Sequence, residues 1–341
     1  MAYTTIPKSS DYFDTRTYSA SGAGSISDLN FQPDFIWFKN RTLVGDSGLF
    51  DAIRGVTKYL ISSSTSAGLT GNGSNDFTAF TSNGFNYGAS SQLDTGAGIP
   101  VTWCWKANGT GSSNTAGSIN STVSANTTSG FSVVTFTGTG ANATVGHGLG
   151  SVPKMIILKS YGGSTNWIVY HNSIGNGKAL SLNTTAAESA DAGYFNSTTP
   201  TSTVFSLGND GFSNGNGQTM VAYCFAEKQG FSKFGSYTGN GNADGTFVYT
   251  GFKPAFVMVK NASASQNWYM LDNKRDISNV CDSYVTADNT TAEQTYTLAD
   301  FLSNGFKLRD TGGASNASGN TFIYMAFAEE PLVGTNPATA R

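Results

Sequence analysis

The sequence predicts an all-β protein built as three tandem β-sandwich repeats, jelly-roll or lectin-like, of about 100 residues each. Three observations lead there. Apolar runs are short, rich in Val, Ile, Phe, Tyr and Trp, and bounded by clusters of Gly, Asn, Ser and Asp, which is the strand-and-turn signature. Helical periodicity is hard to find. One pattern also recurs three times along the 341 residues, a length that suits two or three domains. With 12% charged and 13% aromatic residues, the chain has enough apolar surface to offset the entropy of ordering it.

Each repeat opens on an aromatic string. Tyr237-Thr238-Gly239-Asn240-Gly241 matches Phe136-Thr137-Gly138-Thr139-Gly140, and Tyr18-Ser19-Ala20-Ser21-Gly22 is a looser version. A strand introduced by Pro follows: Pro33 before Phe35-Ile36-Trp37-Phe38-Lys39, Pro153 before Met155-Ile156-Ile157-Leu158-Lys159, and Pro254 before Phe256-Val257-Met258-Val259-Lys260. Pro has no N–H for a sheet ladder and suits the start of a strand. Runs apolar on successive residues need cover on both faces, as where a sandwich also meets a neighbouring unit. Eighteen residues after Pro stand Asp51, His171 and Asp272; three further on stand Arg54 and Arg275, with Ile174 in the middle copy. Ser82-Asn83-Gly84-Phe85 and Ser303-Asn304-Gly305-Phe306 place Phe 52 residues after Pro33 and Pro254. In the middle copy, Asn209-Asp210-Gly211-Phe212 is read as the same string 59 after Pro153, which implies a loop longer by seven. The closing strands end on Trp105, Phe225 and Phe327, 72, 72 and 73 residues after their Pro.

These landmarks place repeats at 12–106, 128–227 and 230–330. The stretch 107–127, almost wholly Gly, Ser, Asn, Thr and Ala, reads as a flexible linker. The second and third repeats, separated by Lys228 and Gln229, are expected to pack side by side, with the first on a looser tether as an anchor.

Charge and targeting remove several classes. A net charge of −3 leaves no electrostatic footprint for nucleic acid. No apolar run approaches a membrane span, and the N-terminal residues lack the apolar core of a secretory signal, so a protein assembled in a cytosol is expected. Cys104, Cys224 and Cys281 are too few for a disulfide framework and lack zinc-site spacing; no metal or cofactor is expected. Cys104 and Cys224, at one repeat position, read as small core residues.

The Phe-x-Pro-x-Phe strings at 31–35 and 252–256, the Ser-Asn-Gly-Phe strings, the Tyr-Thr-Gly-x-Gly opener and the Phe-Ala-Glu closers at 225–227 and 327–329 resemble tandem-repeat virion proteins of tailed bacteriophages, especially marine phages of cyanobacteria. The resemblance covers nearly the whole chain. It implies a structural virion protein, with tail-fibre or receptor-binding work first. Its partners would be other virion proteins, further copies of itself (a trimer among the options) and host-surface glycans. It carries no catalytic residues to transfer. The chain has no coiled coil, collagen-like tract or β-helix repeat for a shaft, so capsid decoration is the alternative and a glycan depolymerase a distant third.

No catalytic residue is assigned. His147 and His171 lack a nucleophile elbow around them, and paired carboxylates for glycoside hydrolysis are a matter of spatial distance that sequence does not report. Trp167 and Trp268, both 14 residues after Pro, are weak candidates for stacking a sugar ring and stronger ones for the core. Lys39 with Asp51, and Lys260 with Asp272, are expected to pair across neighbouring strands, with Arg54 and Arg275 as competing partners.

Overall fold

The strand behind each proline buries both faces, and the alternation of its side chains sets the architecture. In the computed structural model, which describes residues 3–71, 76–89, 98–333 and 337, these strands are Phe35–Asn40, Pro153–Ser160 and Phe252–Asn261. Phe35 and Trp37, Met155 and Ile157, and Phe256 and Met258 enter one core common to all three segments of the chain. Ile36 and Phe38, Ile156 and Leu158, and Val257 and Val259 enter three separate cores. Side chains of a strand alternate with period two, so an unbroken apolar run feeds two cores at once.

The protein is all-β, and its three large antiparallel sheets share one strand order. In the first, Phe13–Thr17, Pro100–Trp105, Phe35–Asn40, Ser47–Asp51 and Lys58–Ile61 are successive neighbours. In the second the order is Phe131–Thr137, Thr219–Ala226, Pro153–Ser160, Ile168–His171 and Lys178–Ser181. In the third it is Ser232–Thr238, Thr321–Pro331, Phe252–Asn261, Trp268–Asp272 and Cys281–Thr286. Each closing strand therefore inserts between the opening strand and the Pro strand. Smaller β layers give the segments a sandwich-like form: Gly24–Ile26 with Gly84–Tyr87 and Phe77–Thr81, then Ala143–Gly146 with Val204–Leu207. In the third segment Phe247–Tyr249 and Gly305–Leu308 join the large sheet through Gln294–Leu302.

The closing strands put large residues into the common core and small ones into the separate cores. Trp103 and Trp105, Tyr223 and Phe225, and Met325 and Phe327 face the common core, while Cys104, Cys224 and Ala326 face the others. The equivalent Trp105, Phe225 and Phe327 meet one another edge to face, with ring centroids 6.3, 5.6 and 6.1 Å apart.

The seams between segments follow one pattern. Backbone N–H groups of Gly68 and Thr165 donate to Tyr161 and Thr65 between the first and second segments. Those of Glu188 and Gln266 donate to Ala262 and Thr185 between the second and third, and those of Glu293 and Gly45 to Arg41 and Thr290 between the third and first. Each contact joins the loop after one segment's Pro strand to the loop after the fifth strand named for another's sheet, Lys58–Ile61, Lys178–Ser181 or Cys281–Thr286. Such a head-to-tail contact closes into a ring when three rotations return to the start.

Three sequence expectations are corrected. The segment 107–127 is not a free linker: Ser112–Asn114 and Ser121–Asn126 are strands added to the second sheet, and Ile119 and Val123 are buried in its core. Its Ser, Thr and Asn residues suit the outermost strands of a sheet with one wet face, Ser112–Asn114 forming the edge. The first segment is not loosely tethered, because Arg41 pairs with Glu293 at 2.7 Å and Phe13 packs on Phe256 and Phe327. Finally, Phe212 is not the equivalent of Phe85 and Phe306, since it sits in the short helix Gly211–Asn214 capped by Asp210 and is 40% exposed. Phe205 takes that place, 52 residues after Pro153, fully buried and opposite Val145 as Phe85 is opposite Ile26 and Phe306 opposite Val248. No longer loop is needed.

The opener string has a local reason. Gly138 and Gly239 lie against backbone carbonyls, where a Cβ would come within 2.4 and 2.2 Å of Gly215 O and Ala317 O. The next residues, Thr139 and Asn240, donate their N–H to the side chains of Asn214 and Asn316.

A common core predicts common unfolding. The whole chain is expected to melt in one calorimetric transition, and residues 128–227 expressed alone to be unfolded or insoluble, because Met155, Ile157, Trp167 and Tyr223 would lose their cover. Three separable transitions would contradict this.

Candidate functional site

The residues that recur at fixed spacing gather at the three seams. Eighteen positions after Pro, each side chain first ties down its own turn. Asp51 Oδ1 accepts from Arg54 N at 2.9 Å, Asp272 Oδ1 from Arg275 N at 2.9 Å, and His171 Nδ1 from Ser173 N at 3.2 Å. The other atom of each then reaches the next segment. Tyr223 Oη donates to Asp51 Oδ2 at 2.9 Å, and Trp103 Nε1 donates to Asp272 Oδ2 at 3.1 Å. Because Ser173 N–H occupies Nδ1, the His171 proton sits on Nε2, which donates to Tyr324 O at 3.2 Å. Met325 stands where Tyr223 and Trp103 stand and has no strong donor, so the histidine turns to the adjacent main chain.

The expected Lys–Asp pairs do not form. Lys39 lies opposite Ser47 and Asp51 opposite Phe35, four residues apart along the hairpin, roughly 13 Å. Arg54 and Arg275 take the carboxylates instead, with Nε to Oδ2 at 2.5 and 2.6 Å, and both pairs are buried. The lysines bond carbonyls across the seams: Lys39 Nζ to Asn289 O at 2.9 Å, Lys159 to Thr65 O at 3.1 Å and Lys260 to Thr185 O at 2.8 Å. Each also holds its own loop, through Gly45 O, Ser160 O or Gln266 O. Burial pushes all three ammonium groups down to about 8. Nothing in the sequence names these partners, because a main-chain carbonyl has no residue signature.

Trp167 and Trp268, the weak candidates for stacking a sugar, are core residues at most 1% exposed. Their indoles donate across seams to Ile61 O and Ser181 O, both at 3.0 Å. Cys104 and Cys224 are buried thiols pushed up by desolvation. His147 is buried in a loop, with Leu149 N donating to its Nδ1.

Hollows interrupt the surface at the seams among the described residues. A cleft of about 520 Å³ between the first and third segments is lined by Asp14, Arg16, Asp28, Lys274 and Glu329 among others. Arg16 holds Asp14 at 2.6 Å and Asp28 at 2.9 Å, while Lys253 holds Glu329 at 3.0 Å. These carboxylates are engaged by cations rather than arranged as an acid beside a base. A smaller cavity of about 360 Å³ lies beside Arg54 between the first and second segments. Among the described residues, no group of three or more His, Cys, Asp or Glu is placed to hold a metal ion.

Residues 8–331 match a family model described as Domain of unknown function (DUF7483). The chain belongs to this family. The match runs across all three segments. No curated protein matches the chain.

The seams make two measurable demands. Asp51→Asn is expected to destabilise the protein by about 3–5 kcal/mol, since it leaves a buried guanidinium without its carboxylate. Asp272→Asn should cost less, because Arg275 keeps Glu293 at 3.2 Å; urea unfolding of both variants gives the comparison. The second demand concerns His171, whose pKa burial pushes down to about 4. In the unfolded chain it returns to its ordinary value near 6.5, so between about pH 6.5 and 4 the unfolded state binds the extra proton and native stability falls as pH falls. This group alone should remove about 3 kcal/mol over that interval. The stability gap between the protein and His171→Gln is expected to narrow accordingly, and a pH-independent gap would contradict it.

Proposed function

We propose that this chain is a structural protein of a tailed-phage virion, working as a tail-fibre or receptor-binding component at the host surface. The observation that carries the reading is the use to which the recurring polar side chains are put. Position 18, the lysines and the tryptophans all hold segments together. A body so constructed is a rigid support, and recognition falls to the loops that it displays. These loops are rich in Gly, Asn, Ser and Thr, as at 139–142 and 240–244, and suit hydrogen bonding to host glycans. Assembly of several copies would multiply weak contacts through avidity. The resemblance of the repeat strings to phage virion proteins supports the same reading.

Capsid decoration is the second reading, and the closed ring favours it, because a compact body with no shaft can bridge coat subunits by its faces. No catalytic step is part of the proposal.

Quantitative mass spectrometry and cryo-electron microscopy of purified particles test the assignment. A few to a few tens of copies at the tail are expected. Hundreds of copies over the head would move the function to decoration, and absence from the particle would refute both.

A further inference from the structure

The cavity beside Arg54 has a wall that its two counterparts explain. It is lined by Ile53, Arg54, Lys58, Gly68 and Tyr161. The Arg54 side chain is 3% exposed, with Nε on Asp51 and Nη2 on Leu49 O and Tyr223 Oη. Its Nη1 finds no acceptor among the described residues. A buried guanidinium N–H left unmet is costly, and structures normally supply it with an oxygen.

The seam between the third and first segments shows which oxygen belongs there. The matching backbone bonds from Gly68, Glu188 and Glu293 make these three residues equivalent. Between the third and first segments, Glu293 accepts from Arg275 Nη1 at 3.2 Å and from Arg41 at 2.7 and 2.8 Å. Arg275 is the counterpart of Arg54. At the seam between the second and third segments, where Ile174 replaces the arginine, Glu188 pairs with Lys178 of its own segment, the counterpart of Lys58 at 25 residues after Pro. The first segment thus keeps the cation of each counterpart, Arg54 and Lys58, while glycine stands where both others have glutamate. The missing side chain leaves an opening where a carboxylate would lie.

We propose that this cavity binds the carboxylate of a small acidic ligand, seated in the place that Glu293 fills at the equivalent seam. One carboxylate oxygen accepts from Arg54 Nη1. Lys58, exposed at the mouth and bonded to Thr70 Oγ1 at 2.6 Å, provides the second cation. Ile53 and Tyr161 wall the carbon skeleton. About 360 Å³ is the range of small-ligand clefts and accommodates a hexuronic acid. The site does not rest on the adhesion reading, since it follows from the seam alone.

Calorimetric titration of the full chain with sodium glucuronate, sodium acetate, glucose and inorganic phosphate tests it. Saturable glucuronate binding is expected, with acetate weaker and glucose inert. Lys58→Ala should weaken glucuronate binding roughly tenfold, the loss of one charged contact. Gly68→Glu carries its own carboxylate, so it should abolish binding and raise the melting temperature of the free protein. A Cβ at residue 68 comes within 3.1 Å of Tyr161, so Ile53→Trp, which fills the cavity, serves if Gly68→Glu does not fold. The proposal is overturned if glucuronate shows no saturable binding, if glucose binds equally, if phosphate binds and the carboxylates do not, or if Lys58→Ala and the cavity-filling variant bind as the parent does.

Discussion

Everything in this protein depends on one mutual contact, the meeting of Trp105, Phe225 and Phe327 at the centre of the common core. Three equivalent rings can touch pairwise only if their strands converge on one line. That convergence obliges each large sheet to bury its second face. The apolar Pro strands, the bulky side of each closing strand and the small Cys104, Cys224 and Ala326 on the other side all follow from that requirement.

Burying a second sheet face brings polar groups inside, and the seams show how they are satisfied. Position 18 caps its own turn and reaches across to a neighbour, and the lysines gather main-chain carbonyls from two segments. A lysine 0% exposed at each seam is tolerable because its ammonium protons meet oxygens at hydrogen-bonding distance. The seams share a plan and differ in chemistry: carboxylate with phenol, imidazole with carbonyl, carboxylate with indole.

Much of the strand framework was legible in the sequence because periodicity and spacing report burial directly. The unbroken runs after Pro announced two covered faces, and the distance from Pro to the closing aromatic located the residues that now meet at the centre. Partners were less legible. The spacing of Asp51 and Asp272 suggests lysine partners, yet Arg54 and Arg275 lie one turn away and reach them at lower entropic cost than lysines at the far end of the hairpin. The string Asn209-Asp210-Gly211-Phe212 misled because Asp before Gly can cap a helix as readily as open a hairpin, and Phe205 bears the same burden without any flanking signature. Residues 107–127 resemble a linker because outer strands of Ser and Thr share a linker's composition.

Linking the three segments in one chain also changes what substitution can do. In a ring of three identical chains every replacement appears three times, so a glycine that opens one seam would open all of them and cost the ring three ion pairs. Here Gly68 stands at one seam, Glu293 braces a second through Arg41, and Glu188 at the remaining seam pairs with Lys178 of its own segment. Tandem linkage separates the labour of the seams: two are free to specialise in cohesion, and the third can trade part of its cohesion for an opening to the outside.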